Sequence, residues 1–113
     1  MNIPKNSTQI ELANASVPFY KYNLDGLTYL YFDTSSYQAP EPMINAMAGL
    51  KALENENYRL IMINHTLPLG LLPKIENDFL FEFKEFEDYF EIEFKLKNFT
   101  PTSTNFNDNQ CSG

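Results

Sequence analysis

The chain has 113 residues, 43% hydrophobic and 20% charged, which suits one globular domain built around a single two-layer core. Its formal charge of −7 opposes binding to phosphate backbones and anionic membrane surfaces, so neither nucleic acid nor membrane is an expected partner. No apolar run approaches the ~20 residues that span a bilayer, the first residues hold no hydrophobic segment of a secretory signal, and the single Cys cannot close an internal disulfide, so the expected setting is the reducing cytoplasm.

Residues 1–16 are polar with a weak apolar pattern and read as a flexible arm or, at most, a short helix. Residues 99–113 hold Thr, Ser, Asn, Asp and Pro101 with almost nothing to bury, which is the composition of a disordered tail. The folded domain is therefore expected over 17–98. Asn-x-Ser/Thr triplets at Asn6, Asn14, Asn64 and Asn98 are taken as chance in an Asn-rich chain with no expected export.

Asp25-Gly26 is a strong hairpin signal, because both residues of the favoured two-residue turn need positive φ. A turn there sets Leu24 against Leu27, Tyr22 against Tyr29 and Tyr20 against Tyr31 on one face. The other face sets Phe19 against Phe32 and Lys21 against Leu30. The first of these strands follows Pro18 and is expected at a sheet edge. Pro40 and Pro42 then open a helix, with Met43, Met47 and Leu50 as its apolar stripe, Ile44 and Leu53 beside it, and the methionines as core filler. Arg59 to Asn64, with four consecutive apolar residues, predicts a central strand buried on both faces. Leu69 to Ile75 predicts a short helix in which Pro73 is tolerated only near the first turn.

The last two strands alternate Phe79, Phe81 and Phe83, then Phe90, Ile92, Phe94 and Leu96, with charged residues between. The two apolar sets have opposite parity, so they share a face only across a loop of even length. A loop over Glu85 to Asp88 would pair Phe83 with Phe90 and set Glu82 against Glu91. The expected fold is an α+β two-layer sandwich, β-α-β-α-β-β, with both helices on one face of a mixed sheet and room for an extra N-terminal strand.

The strand ending at Asp33, followed by Ala39-Pro40-Glu41-Pro42-Met43 opening an amphipathic helix, resembles the TusA/SirA-like domains, which open their first helix with Cys-Pro-x-Pro. The chain is most similar to an uncharacterised branch of that superfamily, domain of unknown function twenty-two forty-nine, whose members read Pro-Pro-Glu-Pro-Met here and carry a His before a Pro-Leu element, as in His65-Thr66-Leu67-Pro68-Leu69. The resemblance covers about Leu27 to Leu96. It implies the same element order and a link to bacterial redox or sulfur metabolism. It does not carry over the sulfur-carrier activity, because Ala39 stands where the persulfide cysteine would be, at a helix N-terminus that stabilises a thiolate. Cys111 lies in the expected tail, and sulfur transfer through it is the least favoured reading.

The candidate ligand or partner residues are Asp33, Ala39, Glu41 and His65. Glu41 is accounted for by its favourable place in the helix dipole, worth about 0.3–1 kcal/mol, and also lies beside the vacant thiol position. His65 falls at the carboxyl end of a central strand, where open sheets place ligand sites, and Asp33 ends the neighbouring strand. A lone His without further ligands at metal spacing is weak grounds for a metal, and a loop-capping role accounts for it. Tyr20, Tyr22, Tyr29 and Tyr31 form a stripe that suits an interface, covered by the N-terminal arm, a partner or a second copy of the chain. There is no Gly-rich phosphate loop, Ser-His-Asp spacing or Cys-x-x-Cys. The sequence thus favours a non-enzymatic binding or accessory module that needs no cofactor. The alternative is a small metal- or haem-binding protein or enzyme working through His65.

Overall fold

The computed structural model describes residues 4–97, so the expected tail over 99–113, Cys111 and the triplet at Asn98 lie outside the described residues. In chain order the elements are β1 (Thr8–Ile10), β2 (Phe19–Leu24), β3 (Leu27–Asp33), α1 (Glu41–Lys51), β4 (Tyr58–Asn64), α2 (Leu72–Ile75), β5 (Phe79–Glu85) and β6 (Phe90–Leu96). The strands form one mixed sheet in the order β1-β2-β3-β4-β6-β5, in which only β3 and β4 run parallel. The domain is α+β, and side chains from both helices share one core with the same sheet face.

The β2–β3 hairpin turns at Asp25 and Gly26, with φ of 53° and 82°. That conformation twists the connection in the sense the strands require. The register pairs Tyr20 with Tyr31, Tyr22 with Tyr29 and Leu24 with Leu27, as the turn dictates. Phe19 and Phe32 stack at 4.7 Å on the helix side, and Tyr22 and Tyr29 at 5.0 Å on the other.

The N-terminal segment departs from the expected arm or short helix. Residues 8–10 add β1 antiparallel to β2, so β2 is not an edge strand. Pairing supplies partners for backbone groups that β2 would otherwise expose, and it outweighs a weak local pattern. Ile10, Leu12 and Ala15 then pack against the core on the helix side.

The buried face of α1 also differs from the apolar stripe. Pro42, Asn45, Ala46, Gly49 and Leu50 face inward, whereas Met47 and Ile44 are 36% and 41% exposed. The reason is distance. A Cβ on Gly49 would lie 2.7 Å from Leu60 Cδ1 and 2.9 Å from Phe19 Cε2, so the helix approaches the sheet closely only through small residues. The larger Met43, Ile44 and Met47 are turned toward the rim, with Met43 still touching the core. In α2, Pro73 sits in the first turn, where its missing N–H costs nothing.

β4 is central, between β3 and β6, and five of its residues are buried. In the final hairpin the aromatic parity holds but the register is shifted from the expected one. Phe81 pairs with Phe94, Phe83 with Ile92 and Glu85 with Phe90, so the loop runs from Phe86 to Tyr89 and Glu82 faces Glu93. Phe86 and Tyr89 stack at 4.8 Å, and the Phe86 N–H donates to the Tyr89 carbonyl at 2.8 Å. This aromatic closure favours the longer strands. Glu82 is exposed, so its like-charge partner is tolerated by solvation.

Candidate functional site

With the helices on one side, the opposite sheet face is lined by Tyr20, Tyr22, Tyr29, Tyr31, Ile61 and Ile63. At the carboxyl end of the parallel pair this face deepens into a cleft of about 740 Å³. β3 contributes Tyr31 and Asp33 to its floor, β4 contributes Ile63, and Tyr89 and Glu91 come from the last hairpin. Val17 and Pro18 close one side, and Ser35, Ser36 and Tyr37 form the loop above.

A buried polar knot holds that loop. Thr34, wholly buried, donates its hydroxyl toward the Ile63 carbonyl at 3.2 Å and Asn64 Oδ1 at 3.0 Å, and its N–H donates to the Ile63 carbonyl at 2.8 Å. Asn64 Nδ2 donates to the Thr66 carbonyl at 2.9 Å. Asp33 Oδ1 accepts from the Ser35 N–H at 2.8 Å, which turns the chain directly after β3. Asn64 is thus consumed in the knot and 2% exposed, which leaves the glycosylation triplet there without an accessible acceptor.

The cleft is acidic and rich in hydroxyl groups. Asp33 and Glu91 supply two carboxyl groups, and no Lys, Arg or His lines it among the described residues. Burial, reinforced by the nearby charges of Asp33 and Glu91 and by Tyr89 and Tyr22, pushes the Tyr31 hydroxyl up to about 12. Tyr31 therefore stays protonated and able to donate. Burial, followed by the charges of Tyr29, Glu91 and Glu93, also raises Tyr22. Farther along the face, Arg59 Nε lies 3.6 Å from Glu93 Oε2.

The structure gathers only some of the residues singled out in the sequence. Asp33 and Tyr31 line the cleft, and Tyr20, Tyr22 and Tyr29 continue its surface. His65 is exposed on the loop after β4 and does not line the cleft with Asp33. Ala39 is exposed before the helix start, and Glu41 accepts a short hydrogen bond from the Ser16 hydroxyl. Tyr37, Tyr89 and Glu91 belong to the cleft but were not legible as site residues, because each lies on a different element or loop. The alternation of β6 did place Glu91 on the charged face, and that was the one available signal. Among the described residues, no group of three His, Cys, Asp or Glu side chains converges, and no helix is long and apolar enough to cross a membrane.

A second depression of about 390 Å³ follows the rim of α1 along Pro40, Met43, Ile44 and Met47 and is almost wholly apolar. Comparison with protein-family models, with curated proteins and with solved structures returns no match to this chain.

Proposed function

We propose that this chain is a non-enzymatic binding or accessory module whose ligand site is the tyrosine-lined cleft at the carboxyl ends of β3 and β4. The observation that carries the reading is the placement of that cleft. It is a concave, partly aromatic surface with a few convergent polar groups, at the end of the sheet where parallel strands deliver their loops. Its size is that of a small-molecule site. Its lining offers hydroxyls and carboxylates for recognition, but no histidine base beside a nucleophile.

Kinship with the TusA/SirA-like domains is part of this proposal. The β-α-β-α-β-β order from β3 to β6 and the start of α1 within Pro40-Glu41-Pro42 support it. With Ala39 in the thiol position, the module would serve bacterial redox or sulfur metabolism by binding rather than by carrying sulfur. The proposed setting is cytoplasmic, without a cofactor, nucleic acid or membrane. A protein partner or a second copy of the chain suits the tyrosine face beyond the cleft. The alternative reading is a small metal- or haem-binding protein or enzyme working through His65, which is exposed on the loop after β4.

Amide chemical-shift mapping with a small-molecule fragment library tests the proposal. Saturable shifts should cluster at Asp33, Ser35, Tyr37 and Tyr89. Ligands that bind only along the His65 loop or the α1 rim would refute the assignment.

A further inference from the structure

We infer that the cleft selects a small alkylammonium cation, an inference that rests on the cleft being the ligand site. Two independent features of the lining point to this class. The first is the sign of its charge: Asp33 and Glu91 face the space, and no cationic side chain among the described residues lines it. Such a site repels carboxylates and phosphates and attracts cations. The second is Tyr31, which is only 8% exposed and whose hydroxyl has no hydrogen-bond partner among the described residues. A hydroxyl that borders a cavity from an otherwise buried side chain, with no protein partner, leaves both a donor and an acceptor for a guest.

The aromatic groups narrow the class further. Tyr31, Tyr37 and Tyr89 come from three separate segments and all border the space. Their ring faces carry negative quadrupole potential, which attracts an ammonium group once water is displaced. The carboxylates give the ammonium N–H groups charged acceptors, the stronger kind of hydrogen bond. A bare metal ion would need several oxygen ligands converging at short range, and no cluster of three acidic or histidine side chains is present among the described residues. An alkylammonium needs only one or two carboxylates, together with apolar surface for its chain, and Ile63, Val17 and Pro18 provide that surface.

The test uses the full chain and four probes: cadaverine, glutarate and neutral pentanol, which are of similar length, and a lysine-containing peptide. Cadaverine should give saturable amide shifts at Asp33, Ser35, Tyr37 and Tyr89 that weaken as salt is raised, and glutarate should give none. Asp33→Asn combined with Glu91→Gln should lower cadaverine affinity by about ten-fold or more, since each loss removes a charged acceptor. Tyr31→Phe should lower it by a smaller factor and leave the dispersion of the remaining spectrum intact. A lysine-containing peptide that binds more tightly than cadaverine would overturn the assignment to a small amine in favour of a protein side chain. Pentanol or glutarate binding in the cleft without cadaverine would overturn the ammonium class yet keep the cleft as the ligand site. No probe shifting those amides would overturn both.

Discussion

Asn45→Ala removes the side chain that ties the N-terminal segment to α1. Asn45 is wholly buried; its Oδ1 accepts from the Ser16 N–H at 2.8 Å and the Val17 N–H at 3.2 Å. Its Nδ2 donates to Ser16 Oγ and to the Glu41 carbonyl, each at 2.9 Å. The losses are unequal. Ser16 is exposed, so water replaces its partner at a cost of roughly 0.5 kcal/mol. Val17 is 7% exposed, and its N–H is left unpaired in a dry setting at about 1–3 kcal/mol. The Glu41 carbonyl keeps its helical partner. The cavity adds about 1 kcal/mol, and the better helix propensity of Ala returns about 0.6 kcal/mol. The expected net loss is therefore about 2–4 kcal/mol, measured as ΔG of urea unfolding with an unchanged denaturant slope. Hydrogen exchange should accelerate at Val17 and along the β1–β2 pairing, because the latch that holds the segment before β2 is gone. Ser16→Ala keeps both backbone N–H bonds to Asn45 Oδ1 and leaves Asn45 Nδ2 with the Glu41 carbonyl, so it should cost less than Asn45→Ala. An Asn45→Ala loss below about 1 kcal/mol, with protection at Val17 unchanged, would refute the latch.

Gly49→Ala should lower the thermal midpoint: Leu60 and Phe19, the neighbours at 2.7 and 2.9 Å, are both fully buried, and overpacking of about 1–3 kcal/mol exceeds the roughly 1 kcal/mol gained in helix propensity. A raised midpoint in calorimetry would show that the helix can back away from the sheet. The Tyr31 contribution to stability should be level below the ordinary tyrosine pKa of 10.0 and fall as pH rises from there to about 12, because the unfolded chain releases that proton first. Tyr22 adds to the decline in the same direction. In Tyr31→Phe the alkaline decline should become shallower, as read from denaturation curves across that range; an unchanged slope would contradict the raised value. The final hairpin register predicts a repulsive coupling of about 0.2–1 kcal/mol between Glu82 and Glu93, and a smaller one between Glu82 and its diagonal neighbour Glu91. Double-mutant cycles with Gln substitutions measure both, and the reverse ranking would restore the shorter strands.

The legible parts of the fold share a physical feature: the information is local. Asp25-Gly26 set the β2–β3 register, because two positive φ values admit few connections. Parity alone placed Phe79, Phe81, Phe90 and Phe94 on one side of the sheet, since side chains alternate whatever the register. Register itself was not legible there. A shift by two keeps every side chain on its face, so parity does not choose between the two hairpins; the one observed closes with Phe86 stacked on Tyr89. At the candidate site, the carboxyl end of the sheet was readable at His65 and, on the neighbouring strand, at Asp33; only Asp33 lines the cleft, and its companions Tyr37, Tyr89 and Glu91 meet it only through the sheet order.

From its own pattern of turns, prolines and alternation, the chain determines the strands and helices from β2 onward and which strand faces are apolar. Each of these depends on neighbours a few residues away. The tertiary structure decided that residues 8–10 become a strand, that Asn45 rather than Met47 faces inward, and that tyrosines and carboxylates from separate elements share one cleft. In each case the deciding term is contact between distant segments: an open strand edge seeking partners, a helix pressed close to Leu60 and Phe19, and a sheet order that brings β3 and β6 to either side of β4.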